Sequence, residues 1–421
     1  MDYTSLSKEE IERLLSEQNR VLKEIGKKKI TLDISRGKPA PMQLDGVMPL
    51  LDILGSDTVF PKPDYRNYGI LEGIPELRAL FAQILGVDKS EVIIGGNSSL
   101  NMMYDTIARA MQFGICGGQP WFGRKIKFLT PVPGYDRHFG ICEHFGIEMI
   151  NIPMTPTGPN MDLVEQLVSG DDDIKGIWCV PKYQNPTGIT FSEDTVRRLA
   201  TMKAAEDFRI FWDNAYVVHD LYEDGDTLAN IMSIAKEAGT QDRIYQFTST
   251  SKVTFPGAGV ACLAASEKNI KDILSHMKYQ TIGANKINQY AHLLYLKSAE
   301  HVKELMAAHA AIIRPKFDKF MEVMDEAFGD DSGIASWTRP KGGYFISLDV
   351  LEGCAKEVGR LCKSVGLTIT NVGDTYPYGM DDKDSNIRIA PTFTSDEDLE
   401  AALQILVCCI KVACLTKLSS K

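Results

Sequence analysis

Residues 176–216 read GIWCVPKYQNPTGITFSEDTVRRLATMKAAEDFRIFWDNAY. Two short apolar runs in this stretch, Gly176–Val180 and Arg209–Trp212, flank a segment with a helical pattern. Strands that alternate with helices of about 10–15 residues are typical of βαβ units in a parallel sheet. The stretch therefore predicts an α/β fold, in which ligands bind in the loops at the carboxyl ends of the strands.

The same alternation continues on both sides of this stretch. Further β-type runs are Val92–Ile94, Lys127–Thr130 and Ile244–Phe247, and helical patterns follow the first two near residues 100–111 and 136–145. We predict a large domain in which helices sandwich a mainly parallel sheet.

The two ends of the chain predict a second, smaller α+β domain. Ser7–Glu10 is a capping-box pattern before a first amphipathic helix. Residues 288–327 have a helical pattern, residues 342–346 and 386–389 are typical of strands, and a final helix covers residues 399–415. The predicted units are an N-terminal arm and helix that joins the small domain (1–45), the large domain (46–305) and the C-terminal small domain (306–421).

Composition excludes several classes of function. Lys and Arg number 46 against 56 Asp and Glu in 421 residues, a net charge of −10, which argues against a nucleic-acid or membrane-surface protein. Nine cysteines without metal-ligand spacing predict free thiols in a reducing compartment and no metal site. The start of the chain is polar, and Gln404 and Lys411 interrupt the apolar stretch 401–415. We expect a cytoplasmic protein without a membrane span.

Four loops after predicted strands carry residues suited to chemistry. They are residues 95–99 (GGNSS), 184–188 (QNPTG), 211–216 (FWDNAY) and 248–259 (TSTSKVTFPGAG). The first precedes a helix N-terminus, which favours an anion such as phosphate, although an ordinary βα turn has the same composition. The second is equally well explained as a turn.

The other two loops each present one charged group. Asp213 ends an apolar strand, where a carboxylate needs a positive or hydrogen-bonding partner, or caps the next helix. Lys252 stands among small hydroxyl residues, where an amine with a lowered pKa can act as a Schiff-base nucleophile. Taken alone, such a lysine is more often a surface charge.

The order of these loops along one α/β chain resembles the fold-type I, pyridoxal 5'-phosphate (PLP)-dependent aminotransferases of class I/II, from about Ser35 to the C-terminus. More narrowly, seven stretches are similar to the type Ic aspartate aminotransferases, a branch also grouped with MocR-like and alanine–glyoxylate-type sequences. The stretches are DISRGKP (33–39), NYGILEGIPELR (67–78), VPGYDRHF (132–139), YQNPTG (183–188), WDNAYVVHD (212–220), STSKVTFPGAGVA (249–261) and IRIAPTF (387–393).

The resemblance implies PLP as the cofactor and assigns the residues that bind it. Lys252 would form the Schiff base and move the substrate proton, and Asp213, supported by His138, would pair with the ring nitrogen and make the ring an electron sink. Asn185 and Tyr216 would bind the phenolic oxygen. The implied cofactor-binding residues are Gly96, Asn97, Ser98, Tyr135, Asn185, Asp213, Tyr216, Ser249, Ser251 and Lys252, with Tyr68 from the neighbouring subunit of a homodimer.

The resemblance also implies how the substrate binds. Arg388 would grip the α-carboxylate beside Asn185, a task suited to a bidentate guanidinium. Arg36 next to Gly37 is our candidate for a distal carboxylate, with Lys38 second, although Arg36 is equally well explained as a surface or ion-pair arginine. One departure concerns the phosphate, since many relatives have an arginine where this chain has Gly257–Val260.

The predicted function is ping-pong transamination between aspartate and 2-oxoglutarate through the Lys252 Schiff base. One alternative keeps PLP but uses another donor (alanine, aminoadipate or an aromatic amino acid), or performs β-elimination. A remote alternative is the non-catalytic ligand-binding module of a MocR-like regulator. Only about 30 residues precede the matched region here, so a DNA-binding domain is not expected.

Overall fold

The computed structural model describes residues 2–420. The helices are α1 (Lys8–Lys27), α2 (Pro41–Gly46), α3 (Pro75–Leu85), α4 (Ser99–Phe113), α5 (Asp136–Phe145), α6 (Met161–Gly170), α7 (Glu193–Thr201), α8 (Ile231–Ala238), α9 (Glu267–Gln280), α10 (Lys286–Leu296), α11 (Ala299–Phe328), α12 (Ala355–Ser364) and α13 (Asp396–Ser419). The strands are β1 (Leu32–Asp33), β2 (Val92–Ile94), β3 (Lys127–Val132), β4 (Glu148–Thr155), β5 (Gly158–Pro159), β6 (Ile174–Cys179), β7 (Arg209–Asp213), β8 (Ile244–Ser249), β9 (Ala261–Ala265), β10 (Ala335–Trp337), β11 (Ile346–Val350), β12 (Leu367–Thr368) and β13 (Asn386–Ile389).

The large sheet has eight strands in the order β2-β9-β8-β7-β6-β3-β4-β5. The strands from β8 to β4 pair in parallel, whereas β9 is antiparallel to β2 and β8, and β5 is antiparallel to β4. The predicted α/β class with a mainly parallel sheet is confirmed. Because β6, β7 and β8 are parallel neighbours, the loops that carry Asn185, Asp213 and Lys252 leave the same edge of the sheet.

A second sheet, β10-β11-β13, is antiparallel and belongs to the small domain. Strand β1 pairs in parallel with β12, with Leu32 opposite Leu367, and so ties the start of the chain to its C-terminal part. Leu32 and Ile34 share one buried core with Phe320 of α11 and Leu406 of α13. The two chain ends therefore form one α+β unit, while the exact boundaries at residues 45 and 305 stay a prediction.

The capping pattern in the sequence predicted the start of α1 correctly, but the helical pattern near the C-terminal part missed a break between two helices. Ser7 caps α1 as predicted: its hydroxyl accepts from the Glu10 N–H at 3.3 Å, and the Glu10 carboxylate accepts from the Ser7 N–H at 2.9 Å. The helix predicted for residues 288–327 is two helices, because Lys297 turns to φ 57° and Ser298 caps α11. The apolar pattern continues across that break, so periodicity alone did not reveal it.

Helix α13 is long and apolar enough to cross a membrane, and among residues 2–420 it is the one helix that is. Its most apolar 18-residue window has a mean hydropathy of 1.9, and 72% of that window is buried inside the protein. It packs against α1, α11 and α12. Those contacts explain its composition as that of a core helix.

The nine cysteines are free thiols, and eight of them are buried. Within residues 2–420, no group of three or more His, Cys, Asp or Glu side chains is arranged to hold a metal ion. The cytoplasmic location stays a prediction.

Candidate active site

A cavity of about 590 Å³ opens where the loops after β6, β7 and β8 face the small domain. It brings together most of the site residues that the sequence indicated. The predicted residues that line it are Arg36, Gly37, Ser98, Tyr135, Asn185, Asp213, Tyr216, Ser249, Ser251, Lys252 and Arg388. Among the residues that the structure describes, Gly96, Asn97 and Tyr68 lie outside this lining, and their assigned roles stay predictions.

Asp213 ends β7 with its carboxylate buried, 3% of the residue being exposed. His138 Nε2 lies 2.9 Å from Oδ2, and the His138 ring stacks on Trp178 at 4.4 Å between ring centroids. Oδ1 is buried and has no hydrogen-bond partner within residues 2–420. A buried carboxylate oxygen without a donor is costly, so Asp213 is poised to accept a hydrogen bond from a bound molecule.

Lys252 follows β8, and its amine lies over two aromatic rings, 5.2 Å from the Tyr216 centroid and 5.6 Å from the Tyr344 centroid. The Lys252 residue is partly open to the cavity. Burial of its amine among protein atoms lowers the pKa of the amine, and the negative charge of Asp213 opposes this shift. A lowered pKa increases the neutral fraction, which is the nucleophilic form.

Tyr216 and Tyr135 are phenols kept protonated by their surroundings. Burial raises the pKa of Tyr216 well above its ordinary value, and the neighbouring Tyr135 and Asp213 act in the same direction. Burial, followed by the Asp213 charge, also raises the pKa of Tyr135. Both hydroxyls are therefore available as hydrogen-bond donors at neutral pH.

Arg388 on β13 is fixed on several sides. Its Nη1 donates to Asp136 Oδ1 at 2.9 Å and to Asn185 Oδ1 at 3.4 Å, and its guanidinium lies 4.9 Å from the centroid of the Phe345 ring. A Cβ on Gly37 would lie 2.5 Å from Phe345 Cζ. Glycine at position 37 therefore leaves the room that Phe345 needs to support Arg388.

Several lining residues were missed by the sequence analysis. Asp136 and Arg137 directly follow Tyr135, inside a stretch that we had quoted for its resemblance, so adjacency was the available signal. Asp33, Ser35 and Ser99 also lie in stretches that were singled out in the sequence, whereas the residues between 368 and 374 belong to a segment without a recognisable motif. The missed polar residues are Asp33, Ser35, Ser99, Asp136, Arg137, Thr368, Thr370, Asn371 and Asp374.

The predicted phosphate end is built from hydroxyls and a helix N-terminus. Ser98 caps α4 by accepting the Asn101 N–H at 3.3 Å, and Ser98 and Ser99 line the cavity there. Ser249 donates to Ser251 Oγ at 2.9 Å. Free N–H groups at a helix start favour an anion, which suits a phosphate even without an arginine.

The turn that replaces the arginine of many relatives is held by two amides. Asn97 Nδ2 lies 3.2 Å from Pro256 O and 3.3 Å from Gly257 O. Asn288 Nδ2 lies 3.0 Å from both Ala258 O and Gly259 O. Asn97 thus braces the turn with its side chain, which explains why it does not line the cavity.

These residues fit PLP on the chemistry of the site itself. The unpartnered Asp213 Oδ1 matches a protonated ring nitrogen, the Lys252 amine matches an aldehyde, and the start of α4 with Ser249 and Ser251 matches a phosphate. Tyr135 lines the same cavity and offers an aromatic face.

Comparisons with known proteins agree with this geometry. The aspartate aminotransferase of Corynebacterium glutamicum is 44% identical over 395 residues, covering 93% of this chain and 91% of that protein. The crystal structure of an aspartate transaminase from the same species superposes with a TM-score of 0.96 at 41% identity and covers 99% of both chains. The α-aminoadipate aminotransferase of Thermus thermophilus, complexed with N-(5'-phosphopyridoxyl)-L-leucine, has a TM-score of 0.74 at 21% identity, with 94% of both chains covered.

The match to the aspartate transaminase structure shows that 99% of this chain has the same fold as that relative. The match to the α-aminoadipate aminotransferase, at 21% identity, shows a similar fold alone. The family model of the aspartate aminotransferases matches residues 6–421. The placement in the type Ic branch stays a prediction. The chain belongs to the aspartate aminotransferase family, PLP-dependent enzymes of fold type I.

Proposed function

We propose that this protein transfers the amino group of aspartate to 2-oxoglutarate by a ping-pong mechanism, with PLP held by Lys252 and Asp213. The observation that carries the proposal is one cavity in which a lysine of lowered pKa, an aspartate with an unpartnered buried oxygen and a buried arginine converge. The 44% identical relative named an aspartate aminotransferase supports the choice of substrate.

The cofactor end is served by Asp213 and the groups around it. Bound PLP supplies an electron sink that makes loss of the proton from the substrate Cα feasible. Asp213 would keep the ring nitrogen protonated, and His138 at 2.9 Å fixes the carboxylate for that task. Tyr216 and Asn185 would bind the phenolic oxygen, Tyr135 would cover one ring face, and Ser98, Ser249 and Ser251 would hold the phosphate.

Lys252 moves the proton. Its lowered pKa gives a neutral amine, which would be able to form a Schiff base with the PLP aldehyde. When a substrate amine replaces it there, the Lys252 Nζ would be free to accept the proton from the substrate Cα and to donate it again. The Tyr216 and Tyr344 rings lie beside this amine, at 5.2 and 5.6 Å from their centroids, and give it an apolar surrounding on that side.

The substrate end offers two cations at different positions. Arg388 binds the α-carboxylate, since its guanidinium is buried beside Asn185. Arg36 lines the same cavity and has no ion pair within residues 2–420, whereas Arg388 and Arg137 both face Asp136. We assign the distal carboxylate to Arg36 for that reason. Lys38 is less suited, because its amine lies 5.3 Å over the Phe393 ring.

The homodimer belongs to this proposal as well. Tyr68 is 83% exposed and lies outside the cavity of its own chain. A tyrosine at the surface is available to the site of a second copy, where it would reach the phosphate.

The test is a titration of the purified holoenzyme with single amino acids, without any oxo acid, followed by visible absorbance. Aspartate and glutamate should convert the bound cofactor to its amine form, while alanine, aminoadipate and aromatic amino acids should be far slower. Conversion by another donor alone would discard the aspartate assignment. Release of ammonia without conversion would identify a β-lyase. No conversion by any amino acid, together with DNA binding at low salt, would favour the regulator alternative.

A further inference from the structure

Arg388 does not face the cavity as a free cation. Its Nη1 already donates to Asp136 Oδ1 at 2.9 Å, and both residues line the cavity. The Arg388 side chain is 9% exposed and that of Asp136 is 31% exposed, so the pair is only partly screened by solvent. A carboxylate of the protein thus binds the guanidinium that the proposed function assigns to the carboxylate of the substrate.

Asp136 has alternatives that keep its charge stabilised if it leaves Arg388. Its other oxygen, Oδ2, lies 3.8 Å from Nε of Arg137, a more exposed arginine. Asp136 is also the first residue of α5, where the helix dipole favours a negative charge. Rotation of one side chain toward Arg137 therefore releases Arg388 without stranding a buried charge.

The two guanidinium groups at this end of the cavity, those of Arg388 and Arg137, already face a carboxylate of the protein, whereas Arg36, which has no ion pair within residues 2–420, is assigned to the distal carboxylate. Asp374 lines the same cavity, and Asn371 Nδ2 donates to it at 3.2 Å. Burial raises the pKa of Asp374, and the negative charge of Asp136 raises it further. The positive charges of Arg388 and Arg137 lower this pKa and oppose the net shift. Two carboxylates thus face two guanidinium groups, and a substrate carboxylate at Arg388 must compete with Asp136.

We propose that Asp136 is a built-in competitor for the substrate α-carboxylate: it holds Arg388 in the substrate-free enzyme and turns to Arg137 when substrate binds. The inference rests on the proposed function, which gives Arg388 its task. The amino acid and the oxo acid both carry the competing carboxylate, so both lose affinity by the same factor.

The test is Asp136→Asn, which keeps the shape and the hydrogen-bonding oxygen but removes the charge. In the holoenzyme the KM values for aspartate and 2-oxoglutarate should both fall about five-fold, the size of one partly exposed ion pair, with kcat close to that of the parent. The Kd of succinate, a dicarboxylate that cannot react, should fall by a similar factor in calorimetry. An unchanged or raised KM would mean that Asp136 only orients Arg388, and the inference would be overturned.

Asp374→Asn is the matched control, since it removes one charge from the same cavity without a hydrogen bond to Arg388. It should change the Kd of succinate less than Asp136→Asn does. An equal effect of the two variants would show a general charge effect and overturn the inference. Arg388→Lys tests the underlying assignment separately. If the KM values of Arg388→Lys stay unchanged, the proposed role of Arg388 fails. If they rise steeply while Asp136→Asn has no effect, the role of Arg388 stands and only the role of Asp136 as a competitor is rejected.

Discussion

The two ends of the active-site cavity are built in different ways. At the cofactor end, Asp213 ends strand β7, and Asn185 and Lys252 stand in the loops that follow the parallel neighbours β6 and β8. At the substrate end, Arg36, Asp136 and Arg388 come from segments that are distant in sequence. The sheet sets the spacing of the cofactor end, while the spacing of the substrate end depends on how the small domain packs onto the large one.

The two ends of the cavity also differ in how far their carboxylates are exposed. Asp213 is 3% exposed and is held by His138, whereas the Asp136 side chain at the other end is 31% exposed and lies between two arginines. Changes at the cofactor end should therefore abolish chemistry, and changes at the substrate end should alter affinity and selectivity.

The largest effect is expected at the cofactor end. Lys252→Ala removes the nucleophile and the base together, so turnover should fall by at least about a thousand-fold in a coupled transamination assay. Added PLP should still bind non-covalently, because Asp213 and the start of α4 remain. Lys23→Ala, an exposed lysine on α1, is the control and should retain turnover. Near-normal turnover of Lys252→Ala would reject the assignment of this residue.

A change at the substrate end should act on selectivity. Arg36→Ala should raise the KM for aspartate by about ten- to hundred-fold, because the distal carboxylate loses its cation. The slow reaction with alanine, which has no distal carboxylate, should be nearly unaffected. The measurement is the rate of the half-reaction against amino acid concentration. An equal loss with both amino acids would show that Arg36 does not recognise the distal group.

A smaller effect is expected from the support beneath Arg388. Gly37→Ala would put Cβ 2.5 Å from Phe345 Cζ, so the ring must move away from the guanidinium that it supports. The KM for both substrates should rise by about three- to ten-fold, since Arg388 loses its fixed position. Gly140→Ala on α5 is the matched control, because open space surrounds that position. An unchanged KM in Gly37→Ala would show that Phe345 does not position Arg388.

The smallest effect is expected on the pH dependence of the free energy of unfolding, through the buried side chain of His219. Burial, reinforced by the charge of Lys252, holds the pKa of His219 well below its ordinary value of 6.5, so His219 is neutral in the folded protein. Below about pH 6.5 the unfolded chain therefore binds more protons, and stability should fall as the pH drops.

The replacement His219→Leu should flatten this pH dependence. The difference in Tm between pH 7 and pH 5.5, measured by scanning calorimetry, should be smaller by about one to two degrees than in the parent. His309→Leu offers a comparison, because burial also lowers the pKa of that histidine. An unchanged pH slope in His219→Leu would show that other groups cause the acid sensitivity.

Local patterns in the sequence predicted five of the eight strands of the large sheet, β2, β3, β6, β7 and β8, and the helices that follow β2 and β3. The runs Lys127–Thr130 and Ile244–Phe247 lie in the parallel strands β3 and β8, a setting that favours apolar residues on both faces, whereas Val92–Ile94 forms β2, which pairs antiparallel with β9. Strand β9 was not predicted, since its residues ACLAA are small and have no alternation. Its antiparallel pairing with β2 and β8 depends on neighbours distant in sequence.

The sequence by itself determined the α/β class, and the resemblance of its motifs proposed the residues that would meet the cofactor. Of these, Asn185, Asp213 and Lys252 line one cavity because the parallel sheet aligns the ends of their strands. Only the tertiary structure decided that Asp136 binds Arg388, that Phe345 needs Gly37, and that Asn97 braces a turn. Those contacts join residues up to hundreds of positions apart. Spacing along the chain carries no information on such pairs, because tertiary packing brings them together, between the two domains for Asp136 and Arg388 and within one domain for the other two contacts.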